Sequence, residues 1–240
     1  MSETKEPRCL TTIIPAYNEG DTIGITISQL SKFLRKQPFP HEIIVIDDGS
    51  LDGTGIIARE HGADVVIRNW NNLGKGAAIA SGLPEASGSI IVLMDADGTY
   101  NPEDIPHLIS PILHGEADVV IGSSFPTDGV SLFHTLGNYF ISIFYRALLG
   151  TKTNYAWSGF KAFKTDKLKE LMKDQFVTGN EFDIEVLYFA NRKGYRIVEM
   201  PFRTRLRKSV GYSQSKSRLY SLKMGLRILW RILKMRRGRD

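Results

Sequence analysis

Much is missing from this chain of 240 residues. It has one cysteine, Cys9, which excludes an internal disulfide and suits a reducing compartment. No apolar run reaches the ~18 residues that a membrane-spanning helix requires. The most hydrophobic stretch, residues 139–149, is short and carries Arg146. The first seven residues include acids and no apolar segment, so they do not read as a signal peptide. Neither Gly-x-x-x-x-Gly-Lys-Ser/Thr nor Gly-x-Gly-x-x-Gly occurs, which argues against a phosphate-loop nucleotidase and a dinucleotide-dependent dehydrogenase. The expectation is a cytoplasmic protein of about one domain or one and a half, long enough for a substantial core.

Acids are also missing from one end. From Arg203 onward 13 Lys and Arg face a single acid, Asp240, leaving 18 basic and 25 acidic residues before it. The body therefore carries a net −7 and the tail +12, a split that points to a polyanionic surface as partner. Residues 217–235 read as an amphipathic helix. Leu219, Leu222, Leu226, Leu229, Trp230 and Leu233 share one face, and Arg218, Lys223, Arg227, Arg231 and Lys234 the other. That pattern suits an anionic membrane surface, where each nearby Lys or Arg adds about 1 kcal/mol. A basic tail also suits nucleic acid, but the leucine stripe would then have no role, so no nucleic acid is expected. Residues 134–149 form a second candidate interfacial helix, with packing against the body as the alternative.

What is present is alternation. Strands are predicted at residues 10–14, 42–47, 64–67, 89–94 and 118–121, and helices at 21–36, 52–61, 74–86 and 102–114, with Asp21 and Asp52 as N-caps. The second half adds a short strand at 160–163, a helix at 181–192 and a strand at 195–200 stopped by Pro201. The expected fold class is α/β, a mostly parallel central sheet covered by helices on both faces.

The most informative stretch is Asp95-Ala96-Asp97, directly after the apolar run Ile90-Ile91-Val92-Leu93-Met94. So apolar a strand is buried on both faces, and its C-terminal end is where open α/β sheets bind ligands. Two carboxylates held together there repel unless a cation lies between them, and hard ions such as Mg²⁺ take one or two carboxylates plus substrate phosphates. Two other strands end in acids: Pro15-Ala16-Tyr17-Asn18-Glu19 after the first, and Asp47-Asp48-Gly49-Ser50 with Asp52 and Thr54 after the second. Acids at three strand ends fit a nucleotide diphosphate better than a collection of solvated loop residues.

These segments, with Asn72-x-Gly74-Lys75-Gly76-Ala77, closely resemble the family 2 glycosyltransferases of GT-A fold. Within that family they look most like the polyprenyl (dolichyl) phosphate sugar synthases. The resemblance covers residues 9–216, taken as the catalytic domain, with 217–240 as a basic membrane-interface segment. Ser158-Gly159-Phe160-Lys161-Ala162-Phe163 and Val198-Glu199-Met200-Pro201 also match. The resemblance implies that Pro15, Ala16, Tyr17 and Glu19 line the nucleotide pocket, that Asp48 meets the base with Asp47 in support, and that Lys75, Gly76 and Ala96 contact the donor. Asp95 and Asp97 would hold Mg²⁺ or Mn²⁺, Asp97 more closely.

Two positions depart from the family pattern. Thr99 stands where mannose synthases often carry Gln, and Ser124 where relatives place an acceptor-phosphate Arg. Arg146, Lys161, Arg207 and Lys208 are the candidate replacements for that cation. The implied activity is inverting transfer of a hexose from GDP-mannose, UDP-glucose or UDP-N-acetylglucosamine to dolichyl or polyprenyl phosphate, by a protein bound peripherally to the membrane. A soluble acceptor, such as a phosphoglycerate, is the alternative. Glu181, Asp183 and Glu185 read as mainly structural.

Overall fold

The computed structural model describes residues 9–125, 158–174 and 181–203. The first half alternates as expected: β1 (Leu10–Ala16), α1 (Gly20–Leu34), β2 (His41–Asp47), α2 (Thr54–Glu60), β3 (Val65–Arg68), α3 (Lys75–Gly82), β4 (Ile90–Leu93), α4 (Ile105–Leu113) and β5 (Val119–Phe125). Then come β6 (Lys161–Lys164), α5 (Thr165–Asp174), α6 (Phe182–Arg192) and β7 (Ile197–Arg203). Together the strands make a seven-stranded sheet in the order β3-β2-β1-β4-β6-β5-β7. Neighbours run parallel except at β6, which is antiparallel to both β4 and β5.

The apolar runs explain why both faces of this sheet are covered. Successive side chains point to opposite faces, so Ile43 and Val45 of β2 enter one core while Ile44 and Ile46 enter the other. In β4, Ile90 and Val92 separate from Ile91 and Leu93 in the same way. One core takes Ile79 of α3, Leu168 of α5 and Leu187 of α6; the other takes Ile27 of α1 and Leu108 of α4. Each such side chain contributes about 1.5–3 kcal/mol on burial, which leaves little freedom in where the strand ends fall.

Three local expectations change. α5 has no counterpart in the sequence reading, because its few apolar residues stand among charges; burial of Leu168 and Leu171 defines its inner face. β7 runs through Pro201 instead of stopping there. It is an edge strand paired to β5, the setting in which a missing N–H disturbs no ladder. Asp21 lies inside the first turn of α1, and Gly53 occupies the cap position of α2. Asp52 accepts from Thr54 N at 3.1 Å and from Gly20 N at 2.8 Å, so one carboxylate serves the first turns of both α1 and α2.

Topology places the site. From β1 the chain moves outward to β2 and β3, while β4 lies on the other side of β1. The order reverses there, and the ends of β2, β1 and β4 lie side by side. On β1, the pairing with β4 covers Leu10–Ile13, whereas β1 and β2 stay paired to Ala16 and Asp47. The result is a crevice where open α/β sheets take ligands. Among the described residues, no helix is long and apolar enough to cross a membrane. The expected helices at 134–149 and 217–235 lie outside the described residues.

Candidate active site

Two loops at the crevice are laced together before any ligand is considered. Asn18 takes a left-handed conformation (φ 53°), from which its N–H donates to Ser50 Oγ at 3.0 Å. Its Oδ1 accepts from Leu51 N at 3.0 Å. Glu19 N donates to Thr54 Oγ1 at 2.9 Å. The segment after β1 is thus held by the segment after β2, and the spacing of Ser50, Asp52 and Thr54 reflects that work. Gly49 (φ 81°) lets a third loop approach: a Cβ there would lie 2.6 Å from the backbone of Asn71.

Asp47 and Asp48 are both buried. Asp47 accepts from Ser50 N at 2.8 Å. Asp48 accepts from Asn69 Nδ2 at 2.8 Å, Leu73 N at 3.1 Å and Gly74 N at 2.8 Å. The role visible for Asp48 is to brace the loop that delivers Gly74 and Lys75. Lys75 and Gly76 open α3, whose first turn receives no side-chain cap, an arrangement suited to phosphate oxygens. Pro15 is half-buried, Ala16 and Ala96 are buried, and Tyr17 is exposed at the mouth. The Glu19 carboxylate accepts from Thr22 Oγ1 at 2.8 Å.

Asp95 and Asp97 lie at the end of β4, both partly exposed. Thr26 Oγ1 ties their loop to α1 through the Ala96 carbonyl at 3.0 Å, and Asp97 Oδ1 accepts from Thr99 N at 3.0 Å. Asp95 Oδ1 accepts from Lys75 Nζ at 2.9 Å, and the same ammonium donates to Asp183 Oδ2 at 2.7 Å. Burial opposes the charge on Lys75, but Asp183 and Asp95 outweigh it and hold its pKa above the ordinary lysine value. Burial likewise opposes ionised Asp183, yet Lys161 and Lys75 keep its pKa below the ordinary carboxylate value. Tyr100 Oη accepts from Gly159 N at 3.0 Å and its ring stacks on Phe160 at 5.0 Å. Burial, then the charge of Asp95, pushes the Tyr100 hydroxyl up, so it stays protonated.

Lys161 requires a correction. It was expected as a candidate cation for an acceptor phosphate, but it is fully buried. Its ammonium donates to Asp183 Oδ1 at 2.7 Å and to the Ser158 carbonyl. Burial is the main reason its pKa lies below the ordinary lysine value. It stands behind Asp183, closed off from solvent. Arg146, Arg207 and Lys208 lie outside the described residues, as does the side chain of Ser124.

Sequence reasoning missed the functional placement of Asp183 and Gly159. Only the fold brings Asp183 to Lys75. Gly159 left one faint signal, its place in the Ser-Gly-Phe-Lys segment: a Cβ there would lie 1.8 Å from Asp95 Oδ2.

The donor set fits a divalent cation. Among the described residues, no group of three or more His, Cys, Asp or Glu is arranged to hold a metal. A two-carboxylate site completed by substrate phosphate and water is the arrangement Mg²⁺ and its like commonly use. The hard oxygens of Asp95 and Asp97 suit it, and the missing Cβ of Gly159 gives the Asp95 carboxylate its space.

Known proteins resemble this chain in sequence and in fold. A family model described as glycosyl transferase family 2 matches residues 11–172. An undecaprenyl-phosphate mannosyltransferase of Micrococcus luteus is 29% identical over 245 residues, spanning 95% of this chain and 98% of its own. A UDP-N-acetylglucosamine–dolichyl-phosphate N-acetylglucosaminyltransferase of Methanococcus voltae is 28% identical over 250 residues, spanning 95% and 96%. Among solved structures, glucosyl-3-phosphoglycerate synthase of Mycobacterium tuberculosis, in complex with Mn²⁺, UDP-glucose and phosphoglyceric acid, is 27% identical. Its TM-score is 0.72, over 96% of this chain and 80% of that one. The same synthase has also been solved with Mg²⁺ and UDP.

Proposed function

This chain belongs to glycosyl transferase family 2, and we propose that it moves a hexose, with inversion, from a nucleotide diphosphate sugar to a polyprenyl phosphate at a membrane surface. The observation that carries this reading is the pair Asp95 and Asp97 at the reversal point of the sheet, with Lys75 2.9 Å from Asp95. That edge offers two carboxylates that would hold a divalent ion, a fixed ammonium for a diphosphate, and uncapped N–H groups of α3. Mg²⁺ or Mn²⁺ held by Asp95 and Asp97 would stabilise the charge of the departing nucleotide diphosphate. Pro15, Ala16, Tyr17 and Glu19 are the proposed lining of the nucleotide pocket, with Asp48 meeting the base and Asp47 in support.

The acceptor explains what the site does without. A phosphate monoester is already anionic near pH 7, its second pKa being about 6. It needs no strong base, only positive charge to bring it beside a negative donor. Arg146, Arg207 and Lys208 are the proposed source of that charge, in place of an Arg at Ser124. Residues 217–240 would hold the protein on the cytoplasmic face of an anionic bilayer, peripherally.

A soluble acceptor is the second reading, favoured by the likeness to phosphoglycerate-using synthases. The two lipid-phosphate relatives favour the first, since they match this chain over 98% and 96% of their own lengths against 80% for the synthase. The test is incubation with Mg²⁺ and labelled GDP-mannose, UDP-glucose or UDP-N-acetylglucosamine, each with undecaprenyl phosphate, dolichyl phosphate or 3-phosphoglycerate. A lipid-linked product from one donor is expected. Transfer to phosphoglycerate alone would overturn the lipid acceptor, and no transfer in any combination would overturn the activity. Deleting residues 217–240 should reduce turnover on vesicle-embedded acceptor while sparing detergent-solubilised acceptor.

A further inference from the structure

Four charged side chains alternate in sign from the core to the crevice. Lys161 is the first residue of β6, held in register opposite Leu93 of β4, the strand that carries the Asp95 loop. Its ammonium meets Asp183 Oδ1 at 2.7 Å; Asp183 Oδ2 meets Lys75 at 2.7 Å; Lys75 meets Asp95 Oδ1 at 2.9 Å. Side-chain exposure rises along the same path, from 0% at Lys161 through 9% at Asp183 and 15% at Lys75 to 34% at Asp95. Asp183 thus gives one oxygen to a sealed lysine and the other to a lysine at the crevice. The sealed bond fixes the carboxylate, because Lys161 has no solvent to exchange with and its other bond is to the Ser158 carbonyl of the loop packed over Asp95.

We propose that Asp183, anchored from behind by Lys161, is a positioning residue that holds the Lys75 ammonium at Asp95, where it meets the diphosphate of the donor. The proposal rests on the donor reading above and adds to it the device that aims Lys75. A lysine chain is flexible and loses rotamer freedom when fixed. One carboxylate alone would leave Lys75 free to swing with the partly exposed Asp95. The second, buried carboxylate removes that freedom in advance, as preorganised sites do. An ion pair that served stability alone would need only Lys161 and Asp183.

The test compares nucleoside diphosphate with nucleoside monophosphate affinity by calorimetry in Mn²⁺, with UDP/UMP and GDP/GMP, alongside thermal melts. The wild type is expected to prefer the diphosphate of one base. No diphosphate binding by the wild type would sink the donor reading itself. Lys75→Met should reduce that preference roughly 10–100-fold, the usual loss when a supporting partner of a metal site is removed. Lys75→Arg should recover part of it.

Asp183→Asn alone leaves Lys161 buried without its counter-charge, so the informative variants are Asp183→Glu, which keeps the charge but displaces it, and the double variant Asp183→Asn/Lys161→Met. Both should reproduce the Lys75→Met loss for diphosphate while monophosphate affinity stays within about twofold, since the positioning acts on the second phosphate. A folded Asp183→Glu or double variant with the wild-type diphosphate preference would overturn the proposal. So would equal losses for mono- and diphosphate, which mark a structural role only.

Discussion

Where β2, β5 and β7 begin, acids are matched to partners one by one. Glu42 accepts from Thr11 Oγ1 and from Ser87 N at 2.7 Å. Asp118 accepts from Lys164 Nζ at 2.7 Å and Arg196 N at 3.0 Å. At the opposite edge, where β1, β2 and β4 end, Glu19, Asp47, Asp48, Asp52, Asp95, Asp97 and Asp183 gather, and the ion pairs join Arg68 to Asp47, Lys75 to Asp95 and Asp183, and Lys161 to Asp183. One residue type does two kinds of work. At the first edge each carboxylate locks a strand end and is spent locally. At the second, backbone N–H groups absorb Asp47, Asp48 and Asp52, while the pair on the β4 loop stays partly exposed. Carboxylates held this close cost stability unless a cation answers them, and under the proposed function a metal ion bound with the donor diphosphate would supply it.

The contrast can be broken most strongly at Asp97. Asp97→Asn should lower turnover on the order of a thousand-fold, since a metal's charge stabilisation amounts to several kcal/mol and each 1.36 kcal/mol is a factor of ten. The melting temperature should hold or rise, as like charge is removed from a crowded edge. Thermal melts and steady-state rates on one preparation decide it; retained turnover would place the metal elsewhere. Gly159→Ala should come next. Its Cβ would fall 1.8 Å from Asp95 Oδ2, so the carboxylate must rotate away. Because Asp95 is partly exposed it has somewhere to go. The expected result is a roughly 10–100-fold weaker Mn²⁺-dependent nucleotide affinity with little change in stability. An unchanged affinity, read by calorimetry, would mean that Asp95 tolerates displacement and is no ligand.

The first edge was harder to read in the sequence than the second. Apolar runs and the acids that follow them placed β1, β2 and β4 and their crevice, because strand burial and strand end are local properties. Glu42 and Asp118 look like any strand-flanking acids until the sheet brings Ser87 and Arg196 to them. Asp183 was legible as part of a helix but not as a partner of Lys75, 108 positions away in the chain. Lys161 was misjudged for the same reason. A lysine in a short predicted strand does not reveal whether it faces an acceptor or the core, and the antiparallel insertion of β6 between β4 and β5 buries it. Gly159 carries its information in what it lacks, which no periodicity records.

Asp118 tests the comparison from the stabilising side. Its partners Lys164 and Arg196 hold its pKa in the folded protein well below the ordinary carboxylate value, with burial the opposing influence. The unfolded chain binds its proton near pH 3.9. Stability from this group is therefore fully present above that value and is lost as pH falls below about 4 toward the depressed folded-state pKa. Asp118→Asn should cost about 2 kcal/mol at neutral pH, the usual loss for a charged hydrogen-bonding group. The gap to the wild type should narrow in denaturant titrations below pH 4. Turnover at neutral pH should not change, because Asp118 sits at the far edge from Asp95. Asp97→Asn should do the reverse, sparing stability and removing activity. A tenfold loss of activity in folded Asp118→Asn would show that the two edges are coupled through the sheet and do not divide stability from chemistry.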